Sequence, residues 1–145
     1  MKKINEIKLS FPAKSVNEGF ARAAAAAFAS LADPTVEELG DVKTAVSEAV
    51  TNAIVHAYGE KSGAVSLHAA LYEGGVLKLR VRDGGVGIPN VAQAMEPLFT
   101  TAGDDRSGLG FTVMESFSDK LSVRSKPGVG TVVTITKYIK GKGAV

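Results

Sequence analysis

The stretch AVSLHAALYEGGVLKLRVRD, from Ala64 to Asp83, leaves this chain few folds to choose from. On either side of Glu73-Gly74-Gly75, apolar and polar residues alternate with a period of two, the pattern of strands that bury one face. A glycine-bearing turn between two such runs makes an antiparallel hairpin. Its apolar face must then be covered by other elements of the same chain. The flanking sequence offers both strands and helices for that purpose. NEIKLSF sets Ile7, Leu9 and Phe11 against Glu6, Lys8 and Ser10 and reads as a short strand. SVNE, Ser15 to Glu18, reads as a capping box opening a helix, with Val16, Phe20, Ala24, Phe28 and Leu31 expected as its buried stripe. TVEE, Thr35 to Glu38, opens a second helix expected to reach about Tyr58. A stretch punctuated by glycine and proline runs from Gly84 to about Gly108. A helix over about Gly110 to Phe117, a strand KLSVRS, a PGVG turn and a strand TVVTITKY follow. The order β-α-α-β-β-loop-α-β-β predicts an α+β sandwich.

A length of 145 residues suits one domain, 1–145, with a core of its own. Lysines and arginines are scattered, the formal charge is +2, and no linear basic run points to a nucleic-acid groove. The absence of cysteine excludes disulfides and thiolate metal sites and agrees with a reducing, cytoplasmic setting. The run AAAAAFASLA is too short to span a bilayer, so no membrane partner is expected. The charged start MKKINEIKLS lacks the apolar centre of a signal peptide.

Four clusters carry chemistry. Within SEAVTNAIVHAY, Glu48, Asn52 and His56 recur every four residues and share a helix face. That stripe is either solvated or turned into an internal cavity. The second reading is favoured because most of the helix around it is apolar. An Asn carbonyl oxygen suits Mg²⁺ that already carries phosphate oxygens and waters, and a carboxylate one turn away can deprotonate a hydroxyl. RDGGVGIP then puts Asp83 at a strand end ahead of Gly85, Gly87 and Ile88. A carboxylate there suits an exocyclic amine such as that of adenine, while the glycines allow close backbone approach. RSGLGF, Arg106 to Phe111, sets Gly108 and Gly110 at a helix start, where free N–H groups attract phosphate. GVGT, Gly128 to Thr131, reads by itself as a hairpin turn.

In this order the clusters resemble the GHKL ATP-binding superfamily: an N box (Glu48, Asn52), a D-x-G-x-G-I box (Asp83, Gly85, Gly87, Ile88), a G-x-G box (Gly108, Gly110) and a final Gly130-Thr131. SEAVTNAIVHAY, EPLFTTAGDDRSGLGFTVMESF and NEGFARAAAAAF extend the resemblance over nearly the whole chain, to the anti-sigma F family of endospore-forming bacteria, which are serine kinases. The resemblance implies a two-layer sandwich of the Bergerat type, a mixed and mostly antiparallel sheet covered on one face by helices. It implies ATP or ADP with Mg²⁺ as cofactors, Asn52 as metal ligand, Glu48 as base toward a target serine and Asp83 as reader of adenine N6. PLFTTAGDDRSG becomes a lid, with Thr100, Thr101, Arg106 and Ser107 near the phosphates; Gly108, Leu109, Gly110, Phe111 and Thr131 complete the nucleotide set. The implied partners are sigma factor F, an anti-anti-sigma factor that is the protein substrate, and a second copy of the chain in a homodimer. The sporulation role follows from the same resemblance. Arg22, in the segment FAR, is either one half of an exposed ion pair with Glu18 or a partner-contacting arginine. His56 is either a core histidine or a ligand, and His68 is expected to face solvent. Two alternatives stand beside the kinase reading: a non-catalytic, nucleotide-gated module that sequesters a sigma factor, and a general-stress anti-sigma kinase.

Overall fold

A computed structural model describes residues 1–58, 63–96 and 110–141, without the side chains of 56–58. In chain order the elements are strand β1 (Lys3–Pro12), helix α1 (Asn17–Ala29), a 3₁₀ turn (Ser30–Ala32) and helix α2 (Val36–Asn52), which continues as a π turn (Ala53–Tyr58). Strands β2 (Ala64–Tyr72) and β3 (Val76–Asp83) follow, then helices α3 (Val91–Ala94) and α4 (Gly110–Ser116), and strands β4 (Lys120–Lys126) and β5 (Gly130–Tyr138). The strands form one sheet in the order β1-β2-β3-β5-β4. The α+β sandwich expected from the sequence is present. Every pairing is antiparallel, so the parallel pair of a mixed sheet does not occur among the described residues.

The β2–β3 register pairs Tyr72 with Val76 and Leu67 with Val81, as the alternating pattern requires. One face of the sheet thereby collects Val65, Leu67, Leu77, Leu79 and Ile135, all fully buried, under the helices. Each such side chain contributes roughly 1.5–3 kcal/mol relative to exposure.

Helix α1 departs from expectation in two ways. Its buried residues are Ala21, Ala25, Ala26, Phe28 and Ala29, whereas Val16, Phe20 and Leu31 are 79%, 57% and 59% exposed. Small side chains let the α1 backbone lie close to α2, and that close contact outranks burial of the larger residues on the other face. The Ser15 capping box does not form either, since no side chain caps this helix. The Glu18 carboxylate that would reach back is held by Arg22 at 2.8 Å and by the Ser47 hydroxyl of α2.

The second capping box forms in full. The Thr35 hydroxyl accepts from Glu38 N at 3.1 Å, and the Glu38 carboxylate accepts from Thr35 N at 2.9 Å. The same carboxylate also accepts from Lys140 N at 2.7 Å and Gly141 N at 3.1 Å, tying the start of α2 to the end of the last strand. Lys137 Nζ adds a contact to Asp41 at 2.8 Å. Burial pushes the Glu38 carboxyl up, but the N–H groups of Thr35, Lys140 and Gly141 outweigh it and hold the pKa below the ordinary range. A depressed folded pKa gives stability that is present above the unfolded value of about 4.3 and lost as pH falls through the folded one. Glu38→Ala should therefore cost about 1–3 kcal/mol at neutral pH, and its deficit against wild type should shrink on acidification. Urea unfolding of both proteins across that range measures the gap.

Candidate functional site

Helix α2 has two unlike sides. Val42, Ala45, Val46, Ala49 and Val50 are buried, while Thr44, Ser47, Glu48, Thr51 and Asn52 lie on the other side and are half-buried. The polar stripe is thus not sealed in an internal cavity. It is half-buried, between α1 on one flank and α4 on the other. At the α4 flank, a Cβ built on Gly110 would meet Asn52 Nδ2 at 3.1 Å, Asn52 Oδ1 at 3.2 Å and Glu48 Oε2 at 3.4 Å. The first residue of α4 therefore presses against both polar groups, and only glycine leaves their side chains undisturbed. At the α1 flank, Glu48 lines a surface cleft together with Arg22, Lys43, Thr44 and Ser47. Arg22 is the exposed ion-pair partner of Glu18, as one reading of the sequence had it, yet it also shares this cleft with Glu48. Sequence reasoning set Arg22 apart from the chemistry; the contact depends on how α1 lies on α2, which no local pattern encodes.

The glycine box closes the other end of the site. Asp83 ends β3 on the helix-facing side, paired with Val65 and Thr131, and is buried. Its Oδ1 accepts from Gly85 N at 2.9 Å. Burial pushes the Asp83 carboxyl above its usual range, against the opposing pull of the Gly85 and Thr131 N–H groups. Two glycines allow the approach. Gly130 has φ 136°, and a Cβ there would run into the Asp83 carbonyl oxygen; Gly87 has φ 77°, and a Cβ there would run into that of Lys126. Gly128 N donates to Val86 O at 2.8 Å, fastening the box to the β4–β5 turn.

Ser125 was missed from the sequence. Its Oγ accepts from Ile88 N at 2.7 Å, donates to Gly130 O at 3.0 Å and lies 2.8 Å from the Thr131 hydroxyl. A signal existed: in KLSVRS, Leu121, Val123 and Ser125 share the inward parity, so Ser125 is a hydroxyl where the core face continues. The two glycine-box positions Gly85 and Gly87 are half-buried beside this network, and Phe111 rests partly buried against the core. Thr100, Thr101, Arg106, Ser107, Gly108 and Leu109 lie outside the described residues, as does the His56 side chain. His68 faces outward, half-exposed, with Nε2 at 2.7 Å from Glu6.

Among the described residues no cluster of three or more His, Cys, Asp or Glu could hold a metal by itself. Beside Gly110 lie the neutral Asn52 amide oxygen and a Glu48 carboxylate oxygen; a neutral amide oxygen suits a hard cation whose other ligands are phosphates and waters. No helix among the described residues is long and apolar enough to cross a membrane.

Residues 11–137 match the family described as a histidine kinase-like ATPase domain. The anti-sigma F factor of Thermoanaerobacter sp. (strain X514) is 51% identical over 140 residues, spanning 96% of this chain and 97% of its own. That of Clostridium acetobutylicum is 54% identical over 134 residues, spanning 92% and 93%. The chain belongs to the anti-sigma F factors. Solved structures agree on the fold. The RsbU and RsbW domains of Rv1364c from Mycobacterium tuberculosis superpose with TM-score 0.67 at 18% identity, over 93% of this chain and 32% of that one. The histidine kinase domain of the Erythrobacter litoralis EL346 blue-light activated kinase superposes with TM-score 0.59 at 25% identity, over 84% and 61%. An anti-sigma F factor with this domain carries a nucleotide-binding site; of the sequence boxes, the structure sets Gly110 against Glu48 and Asn52, and pairs Thr131 with Asp83.

The raised pKa of Asp83 has a consequence for stability. Stability linked to such a group is fully present below the unfolded pKa, about 3.9, and is lost as pH rises through the folded value. Asp83→Asn carries no such loss. The ligand-free variant should therefore gain on wild type in urea midpoint as pH is raised across that window, and a constant difference would contradict the burial of an ionising carboxylate.

Proposed function

We propose that this chain is an ATP-dependent protein-serine kinase that also acts as an anti-sigma factor, binding sporulation sigma factor F and phosphorylating a serine of its anti-anti-sigma factor. The observation that carries this reading is the place of Glu48, which shares Gly110 with Asn52 on one side and opens into the Arg22 cleft on the other. A base so placed can serve a nucleotide and a protein hydroxyl at once. Bound Mg-ATP supplies the phosphoryl group and the charge of the metal. The chain's residues do the rest. Asn52 offers its amide oxygen to the metal, Asp83 accepts from the adenine 6-amino group, and Gly85, Gly87 and Ile88 bring the backbone to the base. Glu48 would orient the acceptor serine hydroxyl and take its proton, while the γ-phosphoryl group would pass from ATP to that oxygen with release of ADP; phosphoryl transfer is largely a matter of such positioning. Arg22, in the same cleft, contacts the protein partner.

An exposed apolar stripe supports the homodimer. Val16, Phe20, Ala23, Ala27 and Leu31 recur at helical spacing on and beside α1 and all are exposed, so three of the large residues expected in its buried stripe (Val16, Phe20 and Leu31) are left on a face that a second copy would cover. Phe20→Glu should shift the chain to monomer in sedimentation equilibrium while ATP affinity stays unchanged.

Glu48→Gln separates the enzyme from a binding module. The variant keeps shape and most hydrogen bonds but loses the basic carboxylate, so transfer should slow by about 10²–10⁴. ATP and sigma F binding should persist. Single-turnover transfer from labelled ATP to purified anti-anti-sigma factor, beside a sigma-binding assay on the same preparation, measures both. No transfer by wild type would leave a nucleotide-gated sigma-binding module; equal transfer by both proteins would remove Glu48 from its role.

A further inference from the structure

Lysine and arginine are scattered along the chain, yet the sheet gathers them. The outward positions of β3 include Lys78, Arg80 and Arg82, and those of β4 include Lys120, Arg124 and Lys126. Both strands pair with β5, so its uncharged residues lie between the two rows: Arg82–Val132–Arg124 in one line, Lys78–Thr136–Lys120 in another, with Thr134 beside Arg80. The outward positions of all five strands hold one carboxylate, Glu6, already engaged by His68 and Lys3. Arg80, Arg82, Lys120, Arg124 and Lys126 are exposed and have no ion-pair partner among the described residues. Lys78 leans on the Tyr72 ring, 5.5 Å from its centroid. Like charges gathered on one face oppose folding by self-repulsion. Among the described residues, no carboxylate pairs with Arg80, Arg82, Lys120, Arg124 or Lys126 to offset that cost.

We propose that this open sheet face docks an acidic amphipathic helix of a partner protein. Two strand spacings separate the basic rows by about 9.5 Å, which matches the width of about 10–12 Å of a helix with its side chains. A helix laid along β5 sets small apolar residues on Val132 and Thr134, and carboxylates on its two flanks meet one basic row each. The arginine forks suit carboxylates in bidentate pairs. Like charge opposes this face pairing with the same face of a second copy. The only aromatics at its outward positions, Tyr72 and Tyr138, sit together at one end, with Lys78 over Tyr72 and none among Arg80, Arg82, Lys120, Arg124 and Lys126, so bases find no stacking platform between the rows. The docking face is opposite to the helices and therefore leaves the nucleotide boxes free. The inference stands independently of the kinase reading.

The test uses the full chain and two labelled peptides of about 18 residues, long enough for five helical turns. Both have the same Glu, Ala and Leu composition. In one, glutamates run along both flanks of an apolar stripe; in the other they are scrambled around the helix. By fluorescence anisotropy at physiological salt, wild type should bind the patterned peptide about tenfold or more tightly than the scrambled one. Arg82→Glu with Arg124→Glu, one from each row, should abolish that preference and weaken binding by about tenfold or more. Lys14→Glu with Lys140→Glu, the same charge change off the face, should leave the preference intact. Unaltered ATP affinity and circular dichroism certify the fold of each variant. Equal binding of the two peptides, or retained preference in the face variant, overturns the proposal. So does a short DNA duplex that binds more tightly than the patterned peptide and is lost in the same variant, since the face would then serve nucleic acid.

Discussion

One helix bears most of the load in this molecule. α2 must be apolar toward the sheet, small-sided toward α1 and polar toward both flanks of the site, all within Val36–Asn52. Its alternatives are few because Ala45 and Ala49 permit the close approach that Leu or Phe would block, while Val42, Val46 and Val50 supply the buried area. The Glu38 carboxylate, shared between the helix cap and the backbone after β5, fixes how far the helix is pushed along the sheet. Glu48 and Asn52 are placed by this chain of contacts. Immediately after Asn52 the helix widens into a π turn over Ala53–Tyr58, a form that concentrates at functional sites because it offsets the ladder by one residue.

The other end of the site depends on the register of β3 with β5. Pairing Asp83 with Thr131 puts a carboxylate on the buried face, where leucines and valines precede it along the strand. Such a group is a poor choice for stability and a good one for recognition, since a desolvated acceptor makes stronger hydrogen bonds. Ser125 reconciles the two demands by joining Ile88, Gly130 and Thr131 through a single hydroxyl, so the carboxylate sits in a frame that does not have to form when a ligand arrives.

The strands were legible in the sequence because their period of two is written in residues that alternate strictly, as in VLKLRVRD. The cap of α2 was legible because Thr35 and Glu38 complete each other locally. The glycine positions of the boxes were legible as close backbone approaches, since a Cβ at Gly87 or Gly130 would run into a carbonyl. What failed was nonlocal. Ser15 and Glu18 have the spacing of a cap, but Ser47, twenty-nine residues on, takes the carboxylate. Phe20 and Leu31 have the hydrophobicity of core residues, but the alanines of α1 win the contact with α2. The basic face was invisible for a related reason: its cations are isolated in sequence and meet only once β3 and β4 pair with the same strand.

These nonlocal features give the molecule three surfaces of different chemistry. The apolar stripe of α1 suits a like partner, the basic sheet face suits an unlike one, and the cleft between α1 and α2 is mixed, with Arg22 and Lys43 beside Glu48. Arg22 and Glu48 are joined through few atoms: Arg22 holds Glu18, Glu18 holds Ser47, and Ser47 is the residue before Glu48. On the proposed function, a partner that takes Arg22 away from Glu18 leaves that carboxylate tied only to the Ser47 hydroxyl, one residue from the base. On that reading, recognition of a protein in the cleft acts one residue from Glu48, so a single short helix carries both an exposed ion pair and a link to the site.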